Sequence, residues 1–142
     1  MARKLVTKLC NRPCFTLTEK DTLKTASEKI QKYNVGVMPV LSENDKSVIG
    51  IISERDLARY IYKDEFKTNL LVSEIMIKNI ISCDLNTSVT QLMEIITSHK
   101  IRHVPIIEAK KLLGIVSIGD VVNHIIDQYK DENQQLRDFI NQ

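Results

Sequence analysis

Tryptophan is absent from this chain of 142 residues, which holds only three phenylalanines and four tyrosines. A surface that stacks on nucleic-acid bases needs several aromatic side chains close together, and here they are scattered along the sequence. The formal net charge is +2, with acidic and basic residues interspersed, so the basic face typical of nucleic-acid binding is also missing. Nucleic acid is therefore not an expected partner.

Long apolar runs are missing as well, since no segment approaches the roughly 20 residues of a membrane-spanning helix, and no membrane partner is expected. Met1–Lys4 is followed by a short segment of mixed polarity that is unlike a signal peptide, which predicts a cytoplasmic location. The three cysteines, Cys10, Cys14 and Cys83, are odd in number and form no Cys-x-x-Cys pair. This pattern favours free thiols in a reducing compartment over a metal site.

Catalytic motifs are scarce. The four glycines are isolated, so the sequence has no glycine-rich loop of the kind that cradles phosphates. The only histidines are His99, His103 and His124, and their spacing is not that of metal ligands. Cys83 and His103 offer a thiol and a base, but the apolar surroundings of Cys83 favour a place in the core. The chain is therefore not expected to be an enzyme.

The main positive feature is an internal repeat. Gly50–Leu57, with the sequence GIISERDL, returns 64 positions later as Gly114–Val121, with the sequence GIVSIGDV. Val35–Val40 returns 66 positions later as Ile101–Ile106. The two-residue difference falls in a polar turn, where a change of length is tolerated. Two copies are too few for a solenoid, and they predict a closed pseudo-dimer with a cleft along its internal two-fold axis.

The hydrophobic pattern predicts the same order of elements in both halves, namely strand, helix, strand, strand and helix. The predicted strands are Phe15–Leu17, Val37–Leu41, Val48–Ile52, Ile80–Cys83, His103–Ile107 and Leu112–Ser117. The predicted helices are one capped by Asp21 or Thr22, Glu54–Tyr62, Ser88–His99 and Ile118–Tyr129, the last extending past Asn133 toward Phe139. A short helix within Met1–Leu9 and a helical turn at Ser73–Met76 are also predicted.

The predicted fold class is α/β, a tandem of two pseudo-two-fold related repeats, each with a small three-stranded sheet and two helices. One module spans residues 1–142, with the first repeat at 15–62, the second at 81–127 and a C-terminal helical tail at 128–142. Each repeat is small for a domain that folds alone, so we expect the two to share a core. The apolar run Val48–Ile52 predicts a strand buried on both faces.

A Ser-x-x-Asp motif stands in each repeat where a strand leads into a helix, at Ser53–Asp56 and at Ser117–Asp120. One interpretation is structural, because a serine followed by an acid three residues later forms a capping box. The other is a nucleotide site, because a helix N-terminus attracts phosphate and a carboxylate accepts hydrogen bonds from ribose hydroxyls. The motif alone leaves both interpretations open.

The duplicated Gly-apolar-apolar-Ser-x-x-Asp segment, the two strands with a central proline and the order of elements resemble a pair of cystathionine-β-synthase (CBS) domains in a stand-alone protein. The resemblance extends from about Phe15 to Asp127. It implies a disc whose central cleft holds two adenine-nucleotide sites, one per repeat. It also implies AMP, ADP, ATP, NAD or S-adenosylmethionine as the class of ligand.

The resemblance implies roles for particular residues. Asp56 and Asp120 would accept from ribose hydroxyls, and Ser53 and Ser117 would contact phosphate or ribose. The residues whose surrounding backbone would line the adenine pockets are Thr16, Met38 and Pro39 for one pocket and Ser82, Val104 and Pro105 for the other. The basic residues that would gather around the phosphates are Arg55, Arg102 and His103, and Val37 would also contact the ligand.

The two repeats differ where these basic residues lie. The second repeat has Arg102 and His103 where the first has Gly36 and Val37. We therefore expect the two sites to differ in affinity or ligand, and His103 to make phosphate binding sensitive to pH. A solvated arginine and a strand-end histidine are the structural alternatives for this pair.

The predicted function is that of a non-enzymatic adenine-nucleotide sensor of energy or redox state that modulates a partner enzyme or transporter. The resemblance also implies a homodimer formed through helices. The candidate surface residues are Leu57, Ile61, Tyr62, Val122, Ile125 and Ile126. A place in the core is the alternative for them. The competing function is an interaction or dimerisation module without nucleotide binding, which an apolar stripe in the tail at Leu136, Phe139 and Ile140 supports.

Overall fold

Two small sheets correspond to the two halves of the repeat in the computed structural model, which describes residues 4–63, 67 and 69–141. The strands are β1 (Leu17–Thr18), β2 (Val37–Leu41), β3 (Val48–Ser53), β4 (His103–Glu108) and β5 (Lys111–Ser117). The first sheet has the order β1-β2-β3, and the second pairs β4 with β5. β1 runs parallel to β2, whereas β2 with β3 and β4 with β5 are antiparallel.

Helices precede and follow these strands in the predicted order. They are α1 (Leu5–Leu9), α2 (Leu23–Tyr33), α3 (Glu54–Tyr62), α4 (Val72–Ile75), α5 (Val89–His99) and α6 (Ile118–Ile140). The side chains of Thr22 and Ser88 cap α2 and α5 by accepting from the backbone N–H three residues on, so Thr22 is the cap of α2 and Asp21 is not. None of the described helices combines the length and the hydropathy that a bilayer-spanning segment requires.

The first strand of each repeat is shorter than predicted. β1 begins two residues later than expected, and the strand predicted at Ile80–Cys83 is reduced to a single parallel bridge between Cys83 and Ile106. The chain turns directly after that bridge, because the Asp84 carboxylate accepts from the backbone N–H two residues on at 2.8 Å. Among the described residues, the second sheet therefore has two strands and this bridge where the first sheet has three strands.

The repeats fill two cores, so the expectation of one shared core is wrong. Buried apolar side chains form one cluster in each repeat. Fully buried members of the first cluster include Leu17, Leu23, Met38, Val40 and Ile52, and those of the second include Leu92, Val104, Ile106, Val116 and Val121. Each repeat encloses an apolar interior once a short helix from outside it is added.

These short helices are exchanged between the repeats. α1 precedes the first repeat but packs into the core of the second, where Val6 is fully buried. α4 precedes the second repeat but packs into the core of the first, where Val72 is fully buried. Val6 and Val72 lie 66 positions apart, the offset that also relates the proline-containing strands. The exchange is therefore part of the repeat and ties its halves together.

Gly50 and Gly114 mark where the exchanged helices cross the sheets. A Cβ atom on Gly50 would lie 2.7 Å from Cγ of Met76, just after α4. A Cβ atom on Gly114 would lie 3.2 Å from the carbonyl oxygen of Leu9, at the end of α1. Interiors are packed too densely to absorb such overlaps freely, so the glycine of each repeated segment permits a close approach.

Two predictions about burial are corrected. The strand β3 is not buried on both faces, because Gly50 and Ile52 are buried whereas Ile49 and Ile51 are only half-buried. Of the residues predicted for a dimer surface, Leu57 is buried and belongs to the first core. The others divide between a partly packed Ile125 and exposed positions at Ile61, Tyr62, Val122 and Ile126.

Candidate functional site

Both Ser-x-x-Asp corners form capping boxes, as the structural interpretation predicts. At α3, the Ser53 hydroxyl accepts from the Asp56 N–H at 3.2 Å, and the Asp56 carboxylate accepts from the Ser53 N–H at 2.9 Å. At α6, Ser117 and Asp120 make the same two bonds at 3.1 and 2.8 Å. Each box uses the Oδ2 atom of its aspartate, so capping leaves Oδ1 available for another partner.

A cleft of about 520 Å³, named the larger cleft, opens between the first corner and the second repeat. Six predicted site residues line it, namely Ser53, Arg55 and Asp56 from the first repeat and Arg102, His103 and Pro105 from the second. Its volume lies within the range of small-molecule sites. Both repeats contribute to the lining of this cleft.

The charged wall of the larger cleft is mainly basic. Arg59 and Lys100 line it together with Arg55 and Arg102. Nη1 of Arg59 lies 3.9 Å from Oδ1 of Asp56, which is too long for a hydrogen bond. The Asp56 side chain is only 8% exposed, so its Oδ1 atom lies close to cations without a short bond to any of them. Such an arrangement favours a ligand that carries both hydroxyl donors and an anionic group.

The prediction from sequence missed Arg59 and Lys100. Arg59 lies four residues after Arg55, one turn further along α3 and on the same face. Lys100 follows α5 in the left-handed conformation that Asn34 has after α2. Helical spacing from Arg55 would have identified Arg59. Alignment of the two repeats would have indicated Lys100.

His103 lies between the two repeats. Burial lowers the pKa of its imidazole; Asp120 and Glu54 act in the opposite direction, but the positive charges of Arg102 and Arg12 lower it further. The surroundings in the protein alone therefore favour the neutral imidazole near pH 7. An anionic group beside His103 would favour the imidazolium instead.

A second cleft, of about 260 Å³, is named the smaller cleft, and Val37, His103 and Ser117 are the predicted residues that line it. Arg12 also lines it and donates to both carboxylate oxygens of Asp120, at 2.8 and 2.5 Å. The same guanidinium donates to the carbonyl oxygen of Ile115 at 2.7 Å. Both oxygens of Asp120 therefore already accept hydrogen bonds from Arg12, unlike those of Asp56.

The Arg12–Asp120 pair is held in its ionised form. Burial opposes the charge on Asp120, but hydrogen bonds from Arg12 and Ser117 outweigh it and lower the pKa of the carboxyl. The same contact raises the pKa of Arg12. The prediction from sequence missed Arg12, because the residue precedes the first repeat but reaches the corner of the second through the exchange of α1. The offset of 66 between Val6 and Val72 would have indicated that the segment before the first repeat is itself part of the repeat.

Besides Asp120, whose partner Arg12 lines the smaller cleft, five predicted residues line neither of the two clefts. Met38 and Val104 are fully buried in the two cores. Pro39 is buried, Thr16 is half-buried and Ser82 is exposed. The resemblance assigned the adenine pockets to backbone around these residues, and that role stays a prediction.

The candidate nucleophile Cys83 belongs to the second core. Burial raises the pKa of its thiol to about 12. A thiolate is the reactive form of cysteine, so its surroundings disfavour nucleophilic chemistry at neutral pH. The interpretation of Cys83 as a core residue fits this position.

The sequence profile of the CBS domain family matches the chain twice, over residues 6–63 and 72–127. The mitochondrial CBS domain-containing protein CBSX3 of Arabidopsis thaliana is 33% identical over 127 residues, which cover 87% of this chain and 62% of that protein. This chain therefore spans less than two thirds of that relative. A solved CBS-domain containing protein from Agrobacterium tumefaciens is 34% identical, with a TM-score of 0.75, covering 84% of this chain and 88% of that one.

A CBS domain protein from Pyrobaculum aerophilum, solved in complex with AMP, is 24% identical to this chain. Its TM-score is 0.75, and the match covers 84% of this chain and 89% of that one. At this identity the likeness is one of fold. The two ranges matched by the family profile both include an exchanged helix, α1 in one and α4 in the other.

Proposed function

This chain belongs to the CBS domain family, and from that premise we propose that it binds an adenine nucleotide in the larger cleft as a non-enzymatic regulatory module. The ligand class is AMP, ADP, ATP or NAD. One observation carries the proposal: a single cleft unites the Asp56 carboxylate, a basic cluster and apolar side chains from both repeats. The AMP complex of the Pyrobaculum relative supports the same class of ligand.

Each part of the larger cleft has a counterpart in such a ligand. Oδ1 of Asp56 accepts from the ribose hydroxyls, while Oδ2 continues to cap α3. Arg55 and Arg102 carry guanidinium groups suited to a phosphate. Ile80 and Pro105 belong to the apolar part of the lining and would contact the adenine ring.

The two clefts are proposed to differ in affinity, with the larger one occupied first. Beside the smaller cleft, Asp120 already accepts two hydrogen bonds from Arg12, which lines that cleft, so a ribose that reaches Asp120 competes with an internal ion pair. In the larger cleft, the cation paired with Oδ1 of Asp56 among the described residues is Arg59, at a distance of 3.9 Å. The asymmetry expected from the sequence thus has a physical basis in Arg12.

The regulatory output is proposed to follow from the shared construction of the cleft. Because its walls belong to both repeats, a ligand that prefers one relative position of the repeats shifts their equilibrium by its difference in affinity. We propose that this shift changes association of the chain in a homodimer and with an unidentified partner protein in the cytoplasm. The signal would be the energy or redox state of the cell.

The alternative is an interaction module that binds no nucleotide. The capping boxes favour it, because they account for Ser53, Asp56, Ser117 and Asp120 without any ligand. The capping boxes do not explain why four basic residues line the larger cleft, namely Arg55, Arg59, Lys100 and Arg102.

Calorimetric titration of ligand-free full-length chain with AMP, ADP, ATP, NAD and S-adenosylmethionine, with GTP as control, tests the proposal. Asp56→Asn and Asp120→Asn form a matched pair, since each retains one capping oxygen. We expect Asp56→Asn to weaken binding by roughly 10- to 100-fold, the loss of a hydrogen bond to a charged group. Asp120→Asn should leave this affinity nearly unchanged.

The Arg12→Ala variant provides a second test, because it removes the hydrogen bonds that Asp120 accepts from Arg12. We expect this variant to bind a second equivalent of ligand at concentrations where the parent binds one. Equal losses from the two Asp→Asn variants would contradict the choice of the larger cleft. A flat titration across the whole panel would support the interaction module instead.

A further inference from the structure

Helix α6 continues well past the second repeat. All residues from 126 to 141 are exposed, a length of about 22 Å at 1.5 Å per residue. An isolated helix of this length is marginal in water. Its large apolar side chains are also exposed, with Leu136 at 59% and Ile140 at 76%, which favours a partner that covers them.

The apolar residues of this helix form a regular stripe. The α6 stripe consists of Val122, Ile126, Tyr129, Asn133, Leu136 and Ile140. Its members follow each other at alternating steps of four and three, the heptad spacing of a two-stranded coiled coil. The apolar members are 42 to 76% exposed, so the stripe is accessible along its whole length.

The stripe lies on a different side of α6 from the one that packs on the body of the protein. Val121 is fully buried and marks the side of α6 that packs on the second core. At 100° per residue the stripe lies about a quarter turn from that side. Further round, Nε2 of Gln134 donates to Oδ1 of Asp138 at 2.9 Å on a polar face. The helix is therefore amphipathic beyond the repeat, with its apolar face uncovered.

We propose that the partner of the α6 stripe is the same stripe of a second copy of this chain, packed in parallel and in register. Asn133 then occupies an a position at the centre of the seam. A single polar asparagine at such a position specifies register and a two-stranded state at some cost in stability. None of the stripe residues lines either cleft, so this pairing does not rest on the proposed nucleotide site.

Charge complementarity selects the parallel arrangement. Glu132 stands at a g position and Arg137 at the following e position. In a parallel pair Glu132 meets Arg137 of the partner subunit, and the two-fold axis repeats this contact. In an antiparallel pair e positions meet each other, so Lys130 would face Arg137 of the partner subunit and the two would repel.

Cysteine cross-linking tests the register. We expect full-length Asn133→Cys, oxidised with glutathione disulfide, to form a covalent dimer on a non-reducing gel. Gln134→Cys is the matched control, because its neighbouring position faces outward. The parent chain, with its three native cysteines, measures the background. Absence of cross-linking above that background at position 133, or equal cross-linking at 134, would overturn the proposal.

Charge reversal tests the polarity. Glu132→Arg should raise the dissociation constant of the dimer by roughly 10-fold, because it replaces two attractive contacts by two repulsive ones. The double variant Glu132→Arg/Arg137→Glu should return it close to that of the parent, as measured by sedimentation velocity. Because both residues are exposed, circular dichroism should confirm unchanged folding.

Other occupants of the stripe would give different results. A chain that stays monomeric at tens of micromolar would assign the stripe to a helix of another protein. A dimer whose dissociation constant is unchanged by Glu132→Arg would assign association to another face. Either result contradicts the proposal.

Discussion

At the scale of residues, the two repeats use one motif in two ways. Ser53 with Asp56 and Ser117 with Asp120 form the same capping box, yet only Asp120 also binds Arg12. A carboxylate whose oxygens both carry internal hydrogen bonds has less to offer a ligand. The difference between the clefts therefore arises from one arginine outside both motifs.

His103 provides the prediction that belongs to this scale. Its pKa is lowered in the protein alone, first by burial, whereas an adjacent phosphate would raise it. Binding would then take up a proton, so the affinity for AMP should rise as the pH falls from 7.5 to 6, by up to roughly 10-fold for each pKa unit regained. Calorimetry with AMP measures this, with adenosine as the control that lacks phosphate.

His103 should also make the free energy of unfolding depend on pH. A fall in pH should lower the stability of the ligand-free protein, whereas it should raise the affinity for AMP. Because the folded pKa lies below the unfolded value of about 6.5, the unfolded chain binds the proton more tightly. Stability in the absence of ligand should therefore fall as the pH drops below about 6.5, and His103→Gln should reduce that fall. An AMP affinity that is independent of pH in the parent, or that depends on pH equally in His103→Gln, would exclude His103 from the phosphate site.

At the scale of elements, the crossing of α4 over β3 is the most constrained contact. Gly50 has no room for a side chain because the Met76 side chain occupies that space. Gly119 is a glycine of the same repeated segment in the second half, where a Cβ atom would lie an ordinary 3.6 Å from the Ser117 hydroxyl oxygen. The two positions therefore make a matched pair.

We expect Gly50→Ala to lower the free energy of unfolding by about 1–3 kcal/mol, because the extra methyl group overpacks the crossing. Gly119→Ala should raise it by up to about 1 kcal/mol, since alanine is favoured over glycine within a helix. Urea unfolding measures both. A neutral Gly50→Ala variant would mean that Met76 moves aside without cost and that the crossing is loose.

At the scale of the whole molecule, the exchanged helices connect two cores that the chain would otherwise build separately. α1 completes the second core and α4 completes the first. Each core therefore includes a short helix that precedes the other repeat in the sequence. The two cores should therefore unfold in one cooperative transition, although their buried side chains form two separate clusters.

Val6→Ala and Val72→Ala test this coupling at equivalent positions that are both fully buried. Each should cost about 1–3 kcal/mol through lost contacts and a residual cavity. Each should also shift one common transition, followed by circular dichroism and by tyrosine fluorescence. Two separated transitions in either variant would show that the repeats unfold independently.

Local pattern was sufficient for the order of helices and strands. The capping residues Thr22 and Ser88, the corners at Ser53 and Ser117 and the long α6 all depend on contacts within a few residues, which sequence periodicity reports. The predicted strand at Ile80–Cys83 failed because its pairing depends on a distant partner, and only Cys83 reaches it.

The sequence by itself determined that the chain is a duplicated α/β unit of the CBS family and which serines and aspartates stand at its corners, because a repeat and its caps are local properties. Only the tertiary structure decided that the larger cleft joins the first corner to the second repeat, and that Arg12 reaches Asp120. The exchange of α1 and α4 causes both, and it depends on which core each short helix enters. That choice is made by packing between distant segments, which local spacing does not encode.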